Sequence, residues 1–351
     1  MGLELGGHTL GHPGIAPGTD GIEYSVVVPV FNEEVNLGTL VERVAPVLDA
    51  TGEAYEILFV DDGSTDSTPS ILRDLCAANP RVRAVRLSRN FGQEAAVQAA
   101  YLYARGRWLV QLDGDLQNPP EEIPTLLALK GDNYDIVFGV RTGRQDSWFR
   151  RFASRSMRWT TTRLLRIALP EDISTFRLMR ASTAKLLASF PERRKFLSAL
   201  ACWIGAKHIS VPVRHEARAR GKTKYNIAKL VSHTFDLVVG FSSRPLKLVG
   251  VVGLVLVALS VVVVIAAFVS HIALQDHLGT ATIIATVLFT GGVQLMGMSL
   301  MGGYVGRLFA ETLARPVFIV AECLGTYPGA AACANCSPAA SANDASRAEP
   351  T

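Results

Sequence analysis

Asp113 and Asp115 stand one residue apart in LVQLDGDLQNPPEEIP, residues 109 to 124, where an apolar run ends on two carboxylates and is halted by Pro119 and Pro120. Carboxylates this close repel each other, and a divalent cation placed between them and a diphosphate relieves the repulsion. Gly114 lets the backbone approach a ligand closely, and the prolines stop the strand and open a helix at Glu121. Taken alone, D-x-D also describes a solvated turn. Its weight comes from its company, because polar residues recur where other apolar runs end. Asn32 and Glu33 follow YSVVVPV, Asp61 and Asp62 end YEILFVDD, and Ser88, Arg89 and Asn90 follow the run that starts at Val82.

The elements that must position these residues are short. Strand-like runs begin at Tyr24, Tyr55, Val82, Trp108 and Tyr134, and helical spacing fills residues 35–50, 68–78 and 93–105 between them. Alternating strands and helices predict an α/β domain with a Rossmann-like, mostly parallel sheet. Such strands are buried on both faces, and ligands gather at their carboxyl ends. Four separate loops are therefore expected on one edge.

Composition adds a second compartment. At 351 residues, 49% hydrophobic and mean hydropathy +0.25, the chain is too apolar for an ordinary soluble enzyme and too charged to lie wholly in lipid. Residues 248–270 and 278–306 carry no charge, and each is long enough to span about 30 Å of hydrocarbon, which predicts a two-helix transmembrane hairpin. Arg244 and Lys247 precede it, Arg307 and Arg315 follow it, and the connector has neither Lys nor Arg. Both ends, with the catalytic domain, are thus expected on the cytoplasmic side of a multi-pass cell-membrane protein.

The remaining segments complete the expected domain plan. Residues 1–21 lack a basic residue and a continuous apolar core, and read as a disordered leader. The catalytic domain runs over 22–225, and the spanning pair over 248–306. Residues 226–247 are assigned as an interfacial linker helix, with a packing helix of the soluble part as the other reading. Residues 307–351 are assigned as a cytoplasmic tail, Ala/Ser-rich after Pro328. The five cysteines show no framework spacing and read as ordinary thiols.

The net charge of +4 conceals residues 141–166, where eight arginines face one acid, Asp146. Trp148, Phe149, Phe152 and Trp159 are interleaved with them, a mixture suited to a headgroup interface. Nucleic acid is not an expected partner, because the acidic strand-end loops would repel a phosphate backbone.

Taken in order, VVVPVFNEEVNL, FVDDGSTDST, LSRNFGQEAAVQAAY and DLQNPPEEIP resemble the family 2 glycosyltransferases of the GT-A fold. GVRTGRQDSWFRRFAS, VPVRHEARARGKTKY, FSSRPLKL and GGYVGRLFAETLARPVFIV are similar to the polyprenyl-phosphate branch of that family, so the resemblance covers residues 24 to 321. It implies a GT-A catalytic domain followed by the transmembrane hairpin, and transfer of a sugar from a UDP- or GDP-linked donor to a polyprenyl (undecaprenyl) phosphate in the lipid bilayer. By the same resemblance Pro29, Asn32, Glu33, Asp61, Asp62 and Asp113 contact the nucleotide sugar. Asp113, Asp115 and Gln117 hold Mg²⁺ or Mn²⁺. Arg141 lies near the donor and acceptor phosphates, and Arg150 and Arg151 near the acceptor phosphate. Asp113, Asp115, Arg141 and Asp172 form the implied catalytic set, and a homo-oligomer is left open.

A lipid monophosphate is largely ionised near neutral pH and is already a nucleophile, so direct displacement with inversion demands no strong base. This matters because the chain departs from the family pattern. Ser174-Thr175-Phe176-Arg177-Leu178-Met179 replaces Gly-Asp-Phe-Arg-Leu-Met, which removes an aspartate discussed as a base. Either Asp172 substitutes or no base is needed. Lys222 likewise stands where relatives carry Glu in Gly-Glu-Ser-Lys-Tyr. Two other readings remain: a processive polysaccharide synthase, for which the chain lacks Q-x-x-R-W, and a degenerate transferase-like membrane scaffold.

Overall fold

The computed structural model describes residues 21–131, 133–141, 173–190, 197–216, 280–313 and 315–326, with scattered positions between 249 and 262. The expected strands are β1 (Tyr24–Val30), β2 (Tyr55–Asp61), β3 (Val82–Leu87), β4 (Trp108–Gln111) and β5 (Ile136–Arg141). The expected helices are α1 (Leu37–Asp49), α2 (Thr68–Ala78) and α3 (Gln93–Tyr103). Three strands escaped the sequence reading: β6 (Ile173–Arg180), β7 (His208–Val213) and β8 (Val320–Leu324). So did the helices α5 (Ala181–Ser189) and α6 (Leu197–Trp203), whereas the helix expected to open at Glu121 is found as a single 3-10 turn, Pro120–Glu122, leading into α4 (Ile123–Leu127). A long helix, α7 (Thr280–Thr312), completes the set.

All eight strands form one sheet in the order β7-β5-β6-β4-β1-β2-β3-β8. Its centre is parallel, with β4, β1, β2 and β3 side by side, while β6 and β8 run opposite to their neighbours. The architecture is therefore α/β with a mixed sheet. Every residue of β1 and β2 is buried, as a strand covered on both faces requires.

Two apolar layers cover the sheet. Leu37, Leu40, Val44 and Leu48 of α1 recur at helical spacing and pack with Val26 and Val28 on one face. Ala95, Ala96, Ala99 and Ala100 of α3 meet Val27, Leu58 and Val85 on the other, and their small side chains let that helix lie close. At the sheet's amino end, buried Glu56 accepts hydrogen bonds from Ser25 Oγ (2.6 Å), Arg83 Nη1 (2.6 Å) and the Arg105 amide (2.8 Å). Burial alone pushes the Glu56 carboxyl up, but the Arg83 guanidinium and these bonds outweigh it and hold the group below its usual range.

The chain beyond α7 returns to the sheet. The Ser88 amide donates to Ile319 O (2.9 Å), β8 pairs antiparallel with β3, and Arg73 grips Glu322 through two bonds (3.1 and 2.8 Å). Phe318 is buried in the layer beneath α3. Residues assigned from sequence to a tail thus cover the edge that β3 would otherwise expose.

Among the described residues no helix is long and apolar enough to cross a membrane. The hairpin expected over 248–306 falls partly outside them, as do the leader, the linker 226–247, Arg150, Arg151 and Asp172. Within α7, Ile283, Val287, Phe289, Leu295, Met296 and Met298 are exposed. A Cβ added at Gly297 would lie 3.2 Å from Val249 Cγ1, so the start of the first apolar segment packs against this helix.

Candidate active site

Strand direction assembles the site. The carboxyl ends of β1, β2, β3 and β4 open on one edge of the sheet. Antiparallel β6 brings its first residues to that edge, and β5 and β7 deliver Arg141 and the segment after Val213.

The first two loops are laced together. Asn32 sits in the left-handed region (φ +56°), which asparagine tolerates. Its amide donates to Ser64 Oγ (2.9 Å) and its Oδ1 accepts from the Thr65 amide (2.9 Å). The Glu33 amide donates to Thr68 Oγ1 (3.0 Å), and the Glu33 carboxylate accepts from Asn36 Nδ2 (2.6 Å). Buried Pro29 precedes this loop inside β1.

Asp61 and Asp62 differ in task. Asp61 Oδ1 accepts from the Ser64 amide (2.8 Å). Its Oδ2 lies 3.4 Å from Arg86 Nε, an ion-pair distance at which neither atom completes a hydrogen bond. Asp62 instead clamps the third loop, accepting from the amides of Phe91 (2.7 Å) and Gly92 (2.9 Å). Burial pushes the Asp62 carboxyl up, and these two amides oppose the shift. Gly63 (φ +69°) makes the junction possible, because a Cβ there would lie 2.4 Å from the Arg89 carbonyl carbon.

The fourth loop carries the paired carboxylates. A Cβ at Gly114 would meet Val30 Cγ1 at 2.8 Å, so this glycine serves the approach of the loop to β1. Leu116 is left-handed (φ +58°), and the turn it makes places the Gln117 amide 3.2 Å from Asp115 Oδ1. Half-buried Asp113 takes Gln93 Nε2 (3.3 Å) on Oδ1; Asn118 Nδ2 (3.5 Å) and Thr175 Oγ1 donate to Oδ2. The segment after β7 buttresses the loop from outside. The Glu216 amide donates to Gln117 O (2.8 Å), His215 Nδ1 lies 3.4 Å from Asn118 Oδ1, and Arg214 pairs with Glu122.

A buried polar pair joins β4 to β6 beneath the site. Gln111 Oε1 accepts from Tyr101 OH (2.6 Å) and Arg177 Nε (2.9 Å), and Arg177 Nη1 reaches Ser198 Oγ (3.0 Å). Pro29, Asn32, Glu33, Asp61, Asp62, Asp113, Asp115 and Gln117 therefore share one edge, on which the backbone of Arg141 also ends. Gln93, Asn118, Thr175 and the Gln111–Arg177 pair were missed from sequence. Only the register of β6 reveals the last two.

Among the described residues no group of three or more His, Cys, Asp or Glu side chains could hold a metal ion by itself. The donor set on the edge is two carboxylates and an amide oxygen, all hard. Such a set suits Mg²⁺ or Mn²⁺, which keep waters and complete their shells with phosphate oxygens. The residues present fit the group.

In an open α/β sheet, ligands bind outside the carboxyl ends of the strands, the edge at which these acids are gathered. Residues 25–187 match the family described as Glycosyl transferase family 2. The undecaprenyl-phosphate 4-deoxy-4-formamido-L-arabinose transferase of Edwardsiella ictaluri is 36% identical over 301 residues, covering 84% of this chain and 92% of that protein. The transferase of the same name in Pseudomonas fluorescens is 36% identical over 88% of this chain and 92% of its own length. An uncharacterised glycosyltransferase of Synechocystis is 36% identical over 87% and 96%. A looser likeness is to glucosyl-3-phosphoglycerate synthase of Mycobacterium tuberculosis, solved with Mn²⁺, UDP-glucose and phosphoglyceric acid. It is 19% identical, covers 64% of this chain and 80% of that one, and has a TM-score of 0.47. The chain belongs to glycosyl transferase family 2 and is a glycosyltransferase.

Gly63 and Gly52 separate the two costs of replacing a left-handed glycine. Both have positive φ, but nothing lies within 4 Å of a Cβ at Gly52. Gly52→Ala is expected to lose about 1–2 kcal/mol, and Gly63→Ala a further 1–3 kcal/mol from overlap with the Arg89 backbone. Thermal melts of the two variants check this; equal losses would mean that the second and third loops are not locked together there.

Proposed function

We propose that the chain is a membrane-bound, inverting glycosyltransferase that moves a sugar from a nucleotide sugar to a polyprenyl phosphate, undecaprenyl phosphate being the acceptor favoured. The observation that carries the donor half is the convergence of Asp113 and Asp115 with the Asn32 and Asp61 loops on one sheet edge. The acceptor half is supported by relatives of 36% identity over most of the chain whose names specify undecaprenyl phosphate. UDP is the favoured nucleotide, with GDP the other candidate.

In this reading Asp113, Asp115 and the Gln117 side chain would hold Mg²⁺ or Mn²⁺. When bound, the cation supplies positive charge to the departing nucleoside diphosphate. The other steps fall to the chain. Pro29, Asn32, Glu33, Asp61 and the Asp62-clamped loop shape the nucleotide side, and Arg141 adds charge near the phosphates. The lipid phosphate is already ionised, so the chain's work is to align it with the anomeric carbon and to stabilise the charge that leaves, and Asp172 need not act as a base. Displacement from the face opposite the leaving group inverts the anomeric centre.

The membrane half rests on the uncharged stretches 248–270 and 278–306, the exposed apolar side chains of α7, and the Val249–Gly297 packing. At about 1.5 Å per residue, α7 is longer than the hydrocarbon core is thick. The arginine- and aromatic-rich segment 141–166 is placed at the headgroups, with Arg150 and Arg151 at the acceptor phosphate.

Purified protein given undecaprenyl phosphate, Mn²⁺ and a panel of UDP- and GDP-sugars is expected to yield one glycolipid by mass spectrometry, and Asp115→Ala to abolish it while the protein still folds. In the same assay Arg150→Glu with Arg151→Glu raises the apparent KM for lipid more than for donor. No glycolipid from any donor, or full turnover by Asp115→Ala, contradicts the reading.

Topology is tested separately by cysteine labelling in intact cells. Gln275→Cys is expected to react with an impermeant reagent and Thr312→Cys only after permeabilisation. The reverse pattern overturns the cytoplasmic placement.

A further inference from the structure

Neutral donors from the start of α3, from the loop after β4 and from β6 reach Asp113, the last of them the Thr175 hydroxyl. Its position follows from the β4–β6 register. Val110 faces Leu178 and Gln111 faces Arg177, so two further steps set Asp113 opposite Thr175. The strand that presents Thr175 is fixed from below, because buried Arg177 bonds both Gln111 and Ser198. The neighbouring Ser174 hydroxyl accepts from the Phe176 amide (2.8 Å) and donates to Asn118 Oδ1 (3.4 Å). Asn118 is in turn the other donor to Asp113 Oδ2. Two adjacent hydroxyls on β6 thus hold Asp113 directly and through its partner.

We propose that Thr175 is a positioning residue for the cation site: its hydroxyl fixes the rotation of the Asp113 carboxylate and so sets the affinity for the divalent ion. The inference rests on the reading that Asp113 binds that ion. A carboxylate at the end of a strand can turn about its terminal bond, and each orientation presents a different pair of lone pairs. A hydroxyl bond from a rigid strand removes that freedom before the ion arrives. Gln93 and Asn118 reach the same carboxylate from a helix start and a loop, whereas Thr175 reaches it from a strand of the sheet. Partners of this kind orient metal-binding carboxylates, and their loss costs about 10–100-fold in metal affinity. The role leaves Thr175 without any contact to the reacting atoms. The Ser174-Thr175 pair at this place in the sequence then has a task of its own, which is to hold an acid.

The test reads ion binding. Uptake of Mn²⁺ in the presence of UDP is followed by the loss of the free-ion electron paramagnetic resonance signal, for the full chain in detergent. Wild type, Asp113→Asn, Thr175→Val and Thr175→Ser are compared, each first checked for an unchanged melting transition. Thr175→Val keeps the shape of the side chain and removes the hydroxyl, and is expected to weaken Mn²⁺ binding about tenfold or more. Thr175→Ser restores the hydroxyl and is expected to bind within about threefold of wild type, well inside that loss. If Thr175→Val does not fold, Thr175→Ala against Thr175→Ser carries the comparison with the same expectation. If wild type takes up no Mn²⁺, or Asp113→Asn takes up as much, the cation reading fails and the inference falls with it. Where wild type and Asp113→Asn separate as expected but Thr175→Val binds like wild type, or Thr175→Ser binds as poorly as Thr175→Val, the inference alone is overturned.

Discussion

The site is governed by a single electrostatic constraint: carboxylates from separate strands are brought to one sheet edge, where they repel. The structure answers by giving each acid its own donors. Asp61 accepts from the Ser64 amide and lies at ion-pair distance from Arg86, Asp62 accepts from two amides of the third loop, and Asp113 accepts from Gln93, Asn118 and Thr175 among others. Those bonds do two things together. They make the charges tolerable, and they tie each loop to its neighbour, so the edge is shaped by the same interactions that keep it from flying apart.

The contrast with the sheet's amino end is instructive. There Glu56 is paired with Arg83 and Arg105, and its charge is satisfied wholly within the protein. At the carboxyl edge Asp62 accepts from two backbone amides, and the donors to Asp113 include the Asn118 side-chain amide and the Thr175 hydroxyl. Neutral donors of this kind orient a carboxylate without consuming its charge, which suits the cation of the proposed transfer chemistry.

The central strands were legible because burial on both faces leaves continuous apolar runs, as in YSVVVPV and YEILFVD. Helices α2 and α3 were legible to within a residue or two, α2 from apolar positions on one face and α3 from a run of small and apolar residues that is buried all round from Ala95 to Tyr101. Strand β6 was not, because ISTFRLMR carries two arginines, and Arg177 is buried only through Gln111 and Ser198. Strand β7 alternates exposed and half-buried residues at a sheet edge, and β8 is a short run that follows α7. Pairing partners, which a single sequence does not display, decide all three. In the site, the acids were legible as types at strand ends, and Asp62 as a member of the edge, but its clamp on Phe91 and Gly92 was not. Gly114 was read as clearance for a ligand, and its clearance for Val30 was not legible.

The proposed chemistry requires Asp113 and Asp115 to share one cation with a nucleoside diphosphate. Anomalous X-ray diffraction at the manganese edge, from crystals grown with Mn²⁺ and UDP, measures this directly. The predicted result is one strong manganese peak touching both the Asp113–Asp115 loop and the diphosphate, with the nucleoside lying along the Asn32 and Asp61 loops. A diphosphate bound on that edge with no manganese at the two aspartates, or a manganese peak elsewhere in the chain, would contradict it.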